Sequence, residues 1–124
     1  MHYERLSAND TAFLRIETPD EPQHVGSLAI FEGPPLRDLT GRVRIEELRR
    51  HIHRRLPRVP RLRQRLMDVP YGQGRPVWVD DGALDLEYHV RLTALPRPGD
   101  ADQLDALMGR LQSQALDRDR PLWE

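Results

Sequence analysis

Proton transfer near neutral pH is work for histidine, and the sequence holds five: His2, His24, His51, His53 and His89. None has a second histidine four residues on, and no His-Glu-x-x-His run occurs, so no helical zinc site is expected. His51 and His53 stand two apart, on different sides of a helix, and read as solvated side chains of a basic stretch. His24, just before an expected strand, and His89, on the polar face of another, are the candidates for a general base. The plainer reading for both is a packed or solvated ring. The serines at 7, 27 and 113 lie outside any Gly-x-Ser-x-Gly elbow. Gly72-Gln73-Gly74 lacks the third glycine and following helix of a nucleotide phosphate loop, and Asp80-Asp81 beside Gly82 read as turn residues. Cysteine is absent, which excludes disulfides, thiolate nucleophiles and Cys-ligated metals, and fits a reducing compartment. These residues assemble no complete active site.

Charge is distributed unevenly. Every one of the 19 basic residues is Arg, and although the net charge is only -1, Arg42–Arg65 holds ten Arg against Glu46 and Glu47. That block suits phosphate, whether of nucleic acid, coenzyme A or anionic lipid head groups. The competing reading is a solvated helix face that also neutralises the acidic flanks. No aromatic residue interrupts the block and the whole chain is slightly acidic, so nucleic acid is not expected as a partner.

The elements that must position these residues follow from periodicity and breakers. At 124 residues the chain fits one domain, and no apolar run approaches the length of a membrane span. Ser7 caps a first helix carrying Ala12, Phe13, Leu14 and Ile16, which Pro19 and Pro22 end. Val25–Phe31 is apolar on both faces and reads as a central strand. Ile45, Leu48, Ile52 and Leu56 form one helical stripe, stopped by Pro57. Strands are expected over Leu62–Val69, at Pro76–Val79 and, from strict alternation, over Leu86–Leu92. Asp100 or Asp102 caps a last helix with Leu104, Leu107, Met108, Leu111 and Ala115 on one face. The order predicts an α+β or α/β arrangement, a mixed sheet covered by helices.

Several strings in sequence add a resemblance. Leu6-Ser7-Ala8-Asn9-Asp10-Thr11-Ala12-Phe13-Leu14 is followed by Pro22-Gln23-His24-Val25-Gly26, then Pro76-Val77-Trp78-Val79 and Leu84–Arg91, and finally Leu116–Glu124 with its Pro-Leu-Trp-Glu ending. In this order they resemble the N-terminal portion of the bacterial wax ester synthase/acyl-CoA:diacylglycerol acyltransferase family. The resemblance implies a partial N-terminal lobe of a chloramphenicol-acetyltransferase-like, CoA-dependent acyltransferase fold. It also implies transfer of a fatty acyl group from acyl-CoA to diacylglycerol or a long-chain alcohol. Such chemistry needs a base beside the acceptor hydroxyl and donors for the thioester oxyanion. The family supplies the base from a His-His-x-x-x-Asp-Gly motif, which residues 1–124 lack: Asp81-Gly82 is the one Asp-Gly, with no His-His before it. No catalytic residue is therefore assigned. Pro121, Leu122 and Trp123 match the string associated in the family with shaping the substrate channel; the alternative is that Trp123 is simply buried in a core strand. His24 sits in a matching string without being the base.

Residues 1–124 are thus expected to be the N-terminal part of an acyltransferase domain, truncated before the catalytic motif and inert alone. Acyl-CoA enters as substrate, with no cofactor or metal. Other expectations are a cytoplasmic location, peripheral attachment to a membrane or lipid-droplet surface, and self-association through unprotected apolar surface. Two other classes stay open: a stand-alone module binding anionic ligands through its Arg block, and a different condensation-type acyltransferase.

Overall fold

The computed structural model describes residues 3–124. Its sheet has three strands: β1 (Tyr3–Arg5), β2 (Gln64–Met67) and β3 (Val77–Asp80). They lie in the order β1-β3-β2, and both pairings are antiparallel, so the expected mixed sheet is corrected to an antiparallel one. Register places Leu66 opposite Trp78 and Gln64 opposite Asp80, while Val77 and Val79 face the other way with Met67 and Arg65. Val77 and Val79 bury one face of β3, and on the other face Trp78 is half-buried against the buried Leu66 of β2 while Asp80 is exposed. Leu6, directly after β1, is the most deeply buried apolar side chain, and its amide donates to the Pro76 carbonyl at 2.9 Å.

Helix α1 (Ala8–Ile16) starts where the Ser7 hydroxyl accepts the Asp10 amide at 3.1 Å. Helix α4 (Ala101–Gln112) starts at Asp100 with a full capping box: its carboxylate accepts the Gln103 amide and the Gln103 side chain accepts the Asp100 amide, both at 3.0 Å. Helix α2 (Ile45–Arg55) carries an inward stripe that differs from the expected one. Leu48 remains 43% exposed, and Arg49 takes the inner position between Ile45 and Ile52. The reason is a specific acceptor: Arg49 Nε and Nη2 donate to the Val90 carbonyl at 3.0 and 2.8 Å. That carbonyl belongs to the segment just after the short helix α3 (Leu86–His89).

Three expected strands require correction. Leu86–Leu92 is not a strand: Asp85 caps α3 by accepting the Glu87 amide, and burial then follows the helix rather than the alternation. Leu62–Val69 shortens to β2, because Pro60 opens a 3-10 turn over Pro60–Arg63. Val25–Phe31 lies in no strand, although its composition suits one. A strand buried on both faces needs neighbours on both edges, and among the described residues nothing pairs with it. Val25 is 97% exposed, and Ile30 and Phe31 are largely so. In the other direction, β1 has too few residues for a period and was not expected at all.

Because Leu6 fills the junction between β1, α1 and β3, Leu6→Ala is expected to cost about 2–5 kcal/mol. Urea unfolding followed by circular dichroism measures this; a loss well under 1 kcal/mol would show that the junction is not part of the cooperative core.

Candidate functional site

The segment ahead of Pro121-Leu122-Trp123 is held to α1 by an ion pair. Arg118 Nη2 donates to the Leu14 carbonyl at 2.7 Å and to Glu17 Oε1 at 3.0 Å. The other oxygen of Glu17 accepts the Gln23 amide at 2.9 Å, which sets the start of the Pro22–Gly26 string. Burial of the Glu17 carboxyl pushes its pKa up, but the Gln23 amide and the Arg118 guanidinium outweigh this and hold it below its ordinary 4.5. The result is a groove of about 240 Å³ lined by Phe13, Leu14, Val25, Leu116 and Leu122, with Glu17, Gln23, His24 and Arg118 in its wall. His24 Nδ1 is buried and has no hydrogen-bond partner among the described residues.

The three residues of the Pro-Leu-Trp string have separate fates. Pro121 is fully buried, Leu122 lines the groove, and Trp123 turns toward α3. Its indole N–H donates to the Leu62 carbonyl at 2.8 Å, and its ring stacks on His89 with centroids 4.4 Å apart and planes 17° from parallel. His89 Nδ1 lies 2.6 Å from the Trp123 carbonyl, an oxygen that can only accept, so the proton is on Nδ1. His89 Nε2 is left as a buried acceptor without a partner among the described residues. His89 is only 3% exposed, which corrects its expected place on the wet face of a strand. Neighbouring side chains close the same corner: the Tyr88 hydroxyl donates to Glu124 Oε1 at 2.9 Å, Arg91 pairs with that oxygen at 3.1 Å, and the Arg120 guanidinium sits 3.9 Å over the Tyr88 ring. Burial first, then the hydrogen bond to the Glu124 carboxylate, raises the Tyr88 pKa above its ordinary 10.0.

The structure thus brings together His24 and Leu122, which stand far apart in sequence, and sets His89 and Trp123 apart from them as a paired support. Asp81 is a turn residue as expected, its carboxylate accepting the Ala83 amide at 3.0 Å, but Asp80 is corrected from turn to strand: it ends β3 opposite Gln64. A larger cavity of about 570 Å³ between α1 and β2 is lined by Arg15, Arg65 and Arg118 with Asp68 and Asp119, charges of both signs. The anchoring of Arg118 on Glu17 and Leu14 was missed from sequence; its partners lie about a hundred residues away, and no local pattern signals them. Among the described residues, no helix is long and apolar enough to cross a membrane.

Residues 6–124 match the model of the wax ester synthase/diacylglycerol acyltransferase catalytic domain. A probable diacylglycerol O-acyltransferase of Mycobacterium tuberculosis, tgs3, is 43% identical over 120 residues, which are 97% of this chain and 42% of that relative. A second from the same organism, tgs1, is 42% identical over 123 residues, 96% of this chain and 25% of its own length. The wax ester synthase/diacylglycerol acyltransferase from Marinobacter aquaeolei VT8 superposes with a TM-score of 0.73 at 34% identity, covering 94% of this chain and 27% of that one. The chain belongs to the wax ester synthase/diacylglycerol acyltransferase family. It spans under half the length of these relatives.

Two outcomes follow from the supports. His89→Ala, which removes both the stack and the hydrogen bond, is expected to destabilise by about 2–4 kcal/mol, whereas His89→Phe keeps a ring against Trp123 and costs about 1–2 kcal/mol. Trp123 fluorescence on urea unfolding separates them; equal losses would show that the stack contributes nothing. A carboxyl whose folded pKa is lowered stabilises above its ordinary pKa and loses that contribution as pH falls through the folded value. Glu17→Gln is therefore expected to lower the Tm at neutral pH, with the gap from the parent narrowing as pH falls below 4.5. A gap that does not change with pH would exclude the ion pair as its cause.

Proposed function

We propose that this chain contributes the acyl-channel wall of an O-acyltransferase that moves a fatty acyl group from acyl-CoA to diacylglycerol or a long-chain alcohol. The acceptor oxygen attacks the thioester carbonyl, the new C–O bond forms as the C–S bond breaks, and a base takes the hydroxyl proton that the departing thiolate finally receives. The observation behind this reading is the convergence of Phe13, Leu14, Val25 and Leu122 on one groove beside His24. Such a lining suits an acyl chain, because the one guanidinium in it, Arg118, is engaged by Glu17 and the Leu14 carbonyl. Arg118 and Glu17 act here as positioning residues, fixing the loop that carries Leu122.

His24 and His89 are not assigned the base. His89 is closed in by Trp123, and His24 lies outside any His-His-x-x-x-Asp-Gly string, so the imidazole that activates the hydroxyl comes from residues beyond these. Leu122 and His24 are the residues assigned to the substrate channel; Pro121 and Trp123 hold it in shape from behind.

The 124-residue chain, incubated with palmitoyl-CoA and dioleoylglycerol, is expected to release no free coenzyme A above background. Residues 6–124 exchanged for the matching segment of the Marinobacter aquaeolei enzyme are expected to support acyl transfer, and Leu122→Trp in that chimera to lower kcat/KM by about tenfold or more. Turnover by the short chain alone, abolished by His24→Ala, would overturn the proposal. An active chimera indifferent to Leu122→Trp would remove the groove from the channel.

A further inference from the structure

We propose that the outer face of α2, with the turn that precedes it, docks on an anionic lipid surface. The Arg block divides in two on inspection of its partners. Arg44 pairs with Glu47 at 3.1 Å, Arg49 with Glu46 at 2.6 Å, and Arg61 with Glu4 at 2.9 Å while lying 4.5 Å over the Trp78 ring. Those contacts use up both carboxylates of α2. Arg42, Arg50, Arg54, Arg55, Arg58, Arg63 and Arg65 are left without an ion-pair partner among the described residues. Arg50 and Arg54 are four residues apart on the helix, a like-charge spacing that weakens a helix unless an anion is supplied from outside.

Charge alone would suit any phosphate, but apolar surface lies beside it. A groove of about 510 Å³ runs between α2 and residues 35–44, with Leu36, Val43 and Leu48 along it and, at its rim, the Arg44–Glu47 pair together with Arg50 and Arg54. The turn leading into α2 is rigidly built. Asp38 Oδ1 accepts the Thr40 hydroxyl and the Thr40 and Arg42 amides, at 2.6, 2.8 and 3.0 Å, and Gly41 adopts φ 83°. At the tip of this ordered turn stands Leu39, 108% exposed. A fully hydrated leucine on a turn that also carries the unpaired Arg42 matches a surface with anionic heads above hydrocarbon. Nucleic acid offers the charge but nothing for the leucines, and no aromatic side chain between Arg42 and Arg65 would stack on bases. This inference concerns attachment and holds whether or not the acyl-transfer reading does.

The test is co-sedimentation of the chain with vesicles of phosphatidylcholine alone or of phosphatidylcholine mixed with phosphatidylglycerol. Binding is expected to the mixed vesicles only, and to weaken as salt is raised. Arg50→Glu with Arg54→Glu is expected to lower the partition coefficient by about tenfold or more. Leu39→Ser, at a site with no packing to lose, is expected to lower it with an unchanged circular dichroism spectrum. Equal binding to both vesicle types, or binding untouched by either variant, would overturn the proposal. So would displacement by inorganic phosphate at constant ionic strength, or a preference for duplex DNA over the vesicles. Loss with the arginine variant alone would take the turn out of the surface.

Discussion

Trp123 is the point through which distant parts of the chain are joined. Its indole N–H is spent on the Leu62 carbonyl, its own carbonyl on His89, and its ring on the His89 imidazole. Three separate stretches, around residues 62, 89 and 123, are therefore fixed to one another by a single side chain and its peptide. With few wholly buried apolar side chains in the described residues, such polar anchoring matters more than in a thicker domain. The same anchoring sets Leu122, the next residue back, into the groove with His24. Groove and support are neighbours in sequence because Leu122 faces the groove and the following residue faces the structure that holds it.

How much of this could be read in advance depended on how local the cause was. Helix starts at Ser7 and Asp100 were legible because a cap is a matter of three or four consecutive residues. Helix α2 was legible in extent but not in facing, since Arg49 enters the inner stripe only by virtue of a carbonyl at residue 90. The alternation over Leu86–Leu92 failed because Asp85 offers a helix cap at the same point, and a short helix with one buried histidine satisfies those residues as well. Val25–Phe31 has the composition of a buried strand but no neighbour among the described residues, and a strand exists only with a partner.

The site was partly visible for a related reason. Motif strings identified His24 and the Pro121–Trp123 segment, but not that Leu122 and His24 share a groove while Trp123 and His89 stack elsewhere. The Arg118–Glu17 pair that brings the two strings together spans most of the chain. The basic block likewise looked uniform as a sequence and divided only once each guanidinium could be matched to a carboxylate, a carbonyl or nothing.

The grip of Arg49 on Val90 bears on which exchanges α2 can absorb. Two nitrogens of one planar group meet a single oxygen, a fork that an ammonium ion cannot reproduce. Exchange of arginine for lysine would keep what the exposed positions of α2 display, the sign of the charge. At residue 49 the same exchange removes that fork and loosens the helix from the chain beyond α3, so charge alone does not define what this position needs.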